Sequence, residues 1–170
     1  MAKNETRRRN IADAGLSVLA TDGSRGLTHR AVDTVAGVPV GTTSNYFRSR
    51  DALIEGLVER IGERLAPSDD DLARRSSEQP SRELFADYVR DIVRRLTDDR
   101  DVTLALFELR LESSRRPELA ALLGAWQRAG FDADVAFNTA AGLPGGRREI
   151  ALFHYACLLY TSPSPRDLST

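Results

Sequence analysis

The stretch from Leu27 to Leu53, LTHRAVDTVAGVPVGTTSNYFRSRDAL, leaves the backbone few choices. Thr28 is placed to cap a helix whose inward positions are Ala31, Val32, Val35 and Ala36. Gly37 ends that helix, because glycine accepts the left-handed conformation that closes one, and Pro39 sits near the start of the next, where its missing N–H costs little. That next helix, the third, is short, about Val40 to Phe47, with Val38 plugging the angle from within the turn. Ser49 caps a fourth helix, with Asp51 in its first turn and Leu53, Leu57, Ile61 and Leu65 as its stripe. A capped helix, a tight turn and a second short helix can lay the later helix in a DNA major groove while the earlier one supports it from the backbone side.

The outward residues of the short helix suit that task. Thr42, Ser44, Asn45 and Tyr46 are small or planar hydrogen-bonding groups. Asparagine can pair with adenine and a threonine methyl can meet the thymine methyl. Arg30 can form a fork to guanine, while Tyr46, His29 and Arg50 are better suited to phosphates, which position a protein without reading sequence.

The rest of the chain reads as helices, with no sustained alternation rich in Val, Ile and aromatics. A first helix, about Thr6 to Thr21, carries the stripe Ile11, Ala14, Gly15, Val18 and Leu19, and Asp22-Gly23 ends it. Pro67-Ser68-Asp69-Asp70-Asp71 is the clearest break, and the polar segment on to Pro80 is a loop or a weak helix. An amphipathic helix starts from Ser81, with Leu84, Phe85, Tyr88, Val89, Ile92, Val93 and Leu96. The next, Val102 to Ser114, is apolar almost all round, which implies burial on more than one side. Pro117 opens a long helix with the seam Leu119, Leu122, Trp126, Ala129, Ala133, Phe137 and Ala140; Gly142 to Gly146 ends it, and a last helix runs from Arg147 to about Tyr160.

Charge is divided unevenly. Residues 1–50 hold eight Lys and Arg against four Asp and Glu, a surplus of four that leaves −5 for the remainder, since the whole chain stands at −1. A basic head on an acidic body suits a protein that sets one end against phosphate. No apolar run reaches the roughly 20 residues of a membrane span, and the lone Cys157 cannot form an internal disulfide, so a reducing cytoplasm is expected. The expected organisation is all-α: an N-terminal three-helix helix-turn-helix head (1–50), a connecting helix (51–66), a helical-bundle ligand-binding and dimerisation body (67–160) and a disordered or foreign tail (161–170). The last apolar helix running into Thr161-Ser162-Pro163-Ser164-Pro165 reads as a truncated chain, and Leu158 to Thr170 looks like translated adapter sequence.

Leu27-Thr28, Ala36-Gly37-Val38, Gly41-Thr42, Tyr46-Phe47, Ser49-Arg50 and Leu53 match, in order and spacing, the pattern of the tetracycline-repressor (TetR) family, which the first sixty or so residues resemble. Ser44 departs from it, standing where the family commonly has Tyr. Carried over by position, the resemblance implies DNA contacts from Thr28, Arg30, Thr42, Asn45, Tyr46 and Arg50. His29, Ser44 and the helix-opening Val40 and Gly41 complete the candidate set. It implies a homodimeric regulator, most simply a repressor, reading a palindromic operator through two heads set ~34–36 Å apart, about one helical turn. In the family the last two helices of each subunit build the interface, and on the truncation reading this chain keeps the first of them and loses the second. The body is expected to hold a small-molecule effector of unknown identity. The competing reading is a helical interaction protein of the same fold that has lost DNA binding.

Candidate effector residues are Phe107, Arg110, Leu111, Trp126 and Phe137, with ordinary core packing as the alternative for the apolar ones. Glu108 and Glu112 share one side of their helix, and Arg110 points the opposite way. Arg110 suits either an anionic ligand or an acidic group across a helix junction, and the second reading is favoured. His154 and Cys157 lie three apart on one helix face, but two ligands make a poor metal site, and packing is the better reading. There is no Gly-x-Ser-x-Gly elbow, phosphate loop, Cys-x-x-Cys or His-Glu-x-x-His, so neither an enzyme nor a cofactor is expected.

Overall fold

The computed structural model describes residues 2–160, with side chains placed from Asn4 to Tyr155; the tail 161–170 lies outside the described residues. All regular structure among them is helical: α1 (Ala2–Gly26), α2 (His29–Val35), α3 (Thr42–Tyr46), α4 (Arg50–Leu65), α5 (Asp69–Ser77), α6 (Arg82–Asp98), α7 (Arg100–Ser113), α8 (Pro117–Ala140) and α9 (Arg147–Tyr160). The all-α expectation holds. No described helix is long and apolar enough to cross a membrane.

The chain folds as two compact units. One takes the residues up to Arg64 together with Asp99–Leu123; the other takes Leu65–Asp98 and the chain from Gly124 onward. The first unit is built around α1. Its sequence stripe of Ile11, Ala14, Val18 and Leu19 is buried, and so are Ala12 and Leu16, because α1 packs against both α2 and α7. Close approach to α4 depends on Gly15, where an added Cβ would stand 2.7 Å from Leu57 Cδ2. Gly23 kinks α1 at φ 67. Thus α7 packs in the unit that carries the head, through Val102, Ala105, Leu106 and Leu109. The sequence implies burial on more than one side of α7; its fully buried residues share one face, and Leu111 is 61% exposed.

In the second unit the polar segment after Pro67 settles as helix α5. Ser68 Oγ accepts the Asp71 N–H at 3.1 Å, and Asp69, Asp70 and Asp71 fill the first turn, where carboxylates meet the positive end of the helix. Arg75 fastens α5. Its side chain, 1% exposed, donates to Asp91 at 3.0 Å and Asp87 at 3.3 Å beneath α6 and lies over the Tyr88 ring. Burial opposes the charge on Asp91, but Arg75, Arg94 and Arg95 outweigh it and hold the carboxyl below its usual range. Tyr88 stacks on Phe137 with centroids 5.1 Å apart and donates its hydroxyl to Asp134.

α8 is one helix through Gly130, as expected, but its seam is not. Leu119, Leu123 and Asn138 are its buried residues, Leu122, Trp126 and Phe137 are half-buried, and Ala129, Ala133 and Ala140 are exposed in the single chain. On α9 Ile150 is buried, whereas Leu152 and Tyr155 are exposed.

Candidate nucleic-acid interface

The interface is organised by one buried carboxylate. Asp33, on the inner side of α2, is 2% exposed. Its Oδ1 accepts the Thr43 N–H at 2.7 Å and the Thr43 hydroxyl at 2.6 Å, and its Oδ2 accepts the Gly41 N–H at 2.7 Å. These are N–H groups that the start of α3 would otherwise leave unsatisfied. Burial works against the charge, yet the hydrogen bonds from Thr43 and Gly41, with His29 nearby, hold the carboxyl below its usual value. Gly41 takes φ 91 and Gly37 φ 63, conformations that favour glycine, so the turn between α2 and α3 is fixed at both ends.

With Thr43 fully buried, the other side of α3 must face out. Ser44 and Asn45 are exposed, Thr42 and Tyr46 half-buried, and Val40, just ahead of the helix, is 80% exposed. Thr42 and Ser44 rest their hydroxyls on the Pro39 and Gly41 carbonyls, at 2.5 and 2.8 Å, which orients them without using their acceptor lone pairs. Thr28 caps α2, its Oγ1 accepting the Ala31 N–H at 3.1 Å. Arg30, on the outer side of α2, is exposed and unpaired among the described residues.

The longer side chains of His29 and Arg50 also turn to internal work. His29 donates from Nε2 to the Phe47 carbonyl at 2.6 Å. Arg50, read from sequence as a phosphate contact, donates from Nη2 to the Ser24 carbonyl at 2.6 Å and to Ser24 Oγ at 3.0 Å, and from Nη1 to the Leu27 carbonyl. It braces the segment joining α1 to α2. In the basic run, Arg8 pairs with Glu59 at 2.8 Å and lies over the Phe47 ring, and Arg9 stands 3.4 Å from Glu63, which leaves Arg7 outward. Arg48, exposed just after α3, was missed in the sequence, where it registered only as net charge.

The five effector candidates do not come together in one unit. Phe107, Arg110 and Leu111 belong to the first, Trp126 and Phe137 to the second. A cleft of about 540 Å³ in the first unit is lined by Ser24, Arg50, Glu108 and Glu112 among others, and by none of the five. The ion pair favoured for Arg110 is not formed among the described residues. Its Nε is buried with no acceptor, and its guanidinium, held below its usual pKa by burial, lies over the Phe107 ring. The helix's own carboxylates are turned to the other flank, which is why none reaches it. His154 pairs with Asp134 at 2.7 Å, and the described residues hold no cluster of three or more metal-ligating side chains; the Cys157 side chain lies outside them.

Residues 80–158 match the family model described as tetracyclin repressor-like, C-terminal domain. A TetR-family structure from Streptomyces coelicolor A3 superposes with a TM-score of 0.67 at 29% identity, covering 92% of this chain and 90% of that one. Residues 80–158 thus form a TetR-type C-terminal domain, in a chain that folds like the TetR-family structures. Two structures of the multidrug binding protein EbrR are also similar to this chain, both at 27% identity over 92% of it. The complex with imidazole has a TM-score of 0.62 over 87% of that chain, and the complex with malachite green 0.64 over 88%. No curated protein sequence matches it. The family match covers the C-terminal part, whereas the resemblance read from sequence lay in the first sixty residues, so the two are independent.

Proposed function

We propose that this chain is a ligand-responsive transcriptional repressor, not an enzyme, that binds a palindromic operator in the cytoplasm as a homodimer. The observation that carries the reading is the division of α3: Thr43 locked inward on Asp33, with Val40, Thr42, Ser44, Asn45 and Tyr46 turned outward. Asn45, Ser44 and Thr42 face base edges, and Val40 offers an apolar contact to a thymine methyl. Arg30 reads a guanine, while Thr28, Arg48 and Tyr46 hold phosphates. His29 and Gly41 keep the two helices in register, and Arg50 braces the segment ahead of them. Dimerisation runs through α8 and α9, whose exposed Ala129, Ala133, Leu152 and Tyr155 would be covered by a second copy. EbrR, a relative that binds malachite green, supports an effector site in the body.

Gel shifts of the purified protein with the DNA flanking its own gene, followed by selection from random oligonucleotides, test this. A two-fold symmetric sequence bound at low salt is the expected result. A folded dimer that shifts no fragment at low salt would instead mark an interaction protein whose head no longer reads DNA.

A further inference from the structure

α7 shows three different sides. Val102, Ala105, Leu106 and Leu109 are buried in the first unit, where α7 packs on α1. One flank is acidic and engaged with the head: Asp101 accepts the Ser17 hydroxyl at 3.0 Å, and Glu108 accepts the Ser24 N–H at 3.2 Å. Ser24 is the residue that Arg50 holds from α4, so Glu108 and Arg50 grip one joint from two helices. The opposite flank carries Phe107 and Arg110, with the exposed Leu111 beside them.

Arg110 is an unusual occupant of that flank. Its Nε is sealed from water without an acceptor, its Cζ stands 5.5 Å from the Phe107 ring centroid, and no carboxylate among the described residues pairs with it. A cation partly withdrawn from water without an anion lowers stability, and a guanidinium is the side chain best shaped to take an oxyanion in a two-pronged hydrogen bond. An anion would complete this group, and the surface next to it is aromatic and aliphatic.

We propose that Arg110, seated over Phe107, anchors an effector with an oxyanion head and an apolar body, and that α7 passes its occupancy to the reading head through Glu108 at Ser24. This deepens the effector part of the regulatory reading and rests on it only for the coupling. Movement of α7 to meet the anion loosens or tightens the Glu108 grip, and with it the segment that carries α2 and α3.

The test is calorimetric titration of the full chain, without DNA, with 2-naphthoate, 2-naphthyl phosphate, neutral 2-naphthamide and the cation malachite green. At least one of the two anions should bind about 10- to 100-fold more tightly than the amide, the range expected for a hydrogen bond to a charged group. R110Q should abolish that preference, and R110K should keep part of it. Equal binding of anion and amide, preference for malachite green, absence of any anion-selective binding, or selectivity surviving in R110Q would each overturn the site.

R110M separates a ligand anchor from a structural residue. Its thermal midpoint should be unchanged or raised, since it removes an unpaired charge; a fall of several degrees would show that Arg110 holds the fold. For the coupling, E108A should bind the anion normally while its DNA affinity no longer responds to it, with the response restored in E108Q. A wild-type response in E108A would overturn that route. Loss of DNA binding with anion binding intact would count against the regulator and not against the site.

Discussion

Asp33 shows how one side chain sets the geometry of a reading head. Its carboxylate supplies the acceptors that the first turn of α3 needs, from a neighbouring helix and out of water. Asp33→Ala would leave the Thr43 and Gly41 N–H groups without partners, and should cost about 2–4 kcal/mol in urea unfolding and loosen α3 in amide exchange. The same carboxylate gives a pH dependence. Its folded pKa is depressed, so the unfolded chain takes up the proton at the higher pH. The stabilisation is complete above the ordinary aspartate value, roughly 4, and is lost as pH falls through the lower folded value. Urea midpoints measured from pH 5 to pH 3 should drop more steeply in the wild type than in Asp33→Ala; parallel curves would remove Asp33 from the account. Arg30 acts at the surface instead. Arg30→Ala should cost about 1–3 kcal/mol of operator affinity and relax selectivity at one base pair in each half-site. An equal loss on every sequence would make Arg30 a phosphate anchor only.

Among the elements, α4 fixes α3 from behind, and a glycine makes this possible. A Cβ at Gly56 would overlap the Phe47 ring, which is buried at the end of α3 and covered from the other side by Arg8. Gly56→Ala favours the helix locally but overfills this contact, and should destabilise the protein by about 1–3 kcal/mol. Its operator affinity should fall at a temperature where the variant is still folded by circular dichroism, because Phe47 and α3 move together. The elements that sequence reasoning located well were those marked by local chemistry. Thr28, Ser49, Gly37 and Gly142 act within a turn of their own position, and their caps and stops stand where the residue types imply. What it could not locate was long-range pairing. Asp33 looks like one more solvated charge until α3 folds back over it, and Arg75 looks like part of a polar loop until α6 supplies Asp87 and Asp91. Arg50 misled for the same reason: a terminal arginine beside a recognition helix suggests phosphate, while the carbonyls of Ser24 and Leu27, more than twenty residues away, take its donors. The α8 seam failed because alanines at regular spacing do not say whether this chain or another covers them.

For the molecule as a whole, the decisive quantity is how many phosphates act together. Reading a palindrome requires two heads, and two heads require a second copy held by surfaces that a single chain leaves open. Leu152 and Tyr155, 61% and 65% exposed on α9, are the largest such side chains there. Replacing both with Glu puts two charges into the proposed interface without touching the first unit, so a monomer with an intact head is the expected product by light scattering. Salt dependence then separates the two states. A dimer contacting about six phosphates should lose ~10³ in affinity between 50 and 200 mM salt, whereas a monomer contacting about three should lose only roughly 40-fold. The monomer should also bind more weakly at every salt concentration, because each head then binds its half-site alone. A slope unchanged in a verified monomer would mean that one subunit makes every phosphate contact, and the paired-head reading would fail even though the chain still bound DNA.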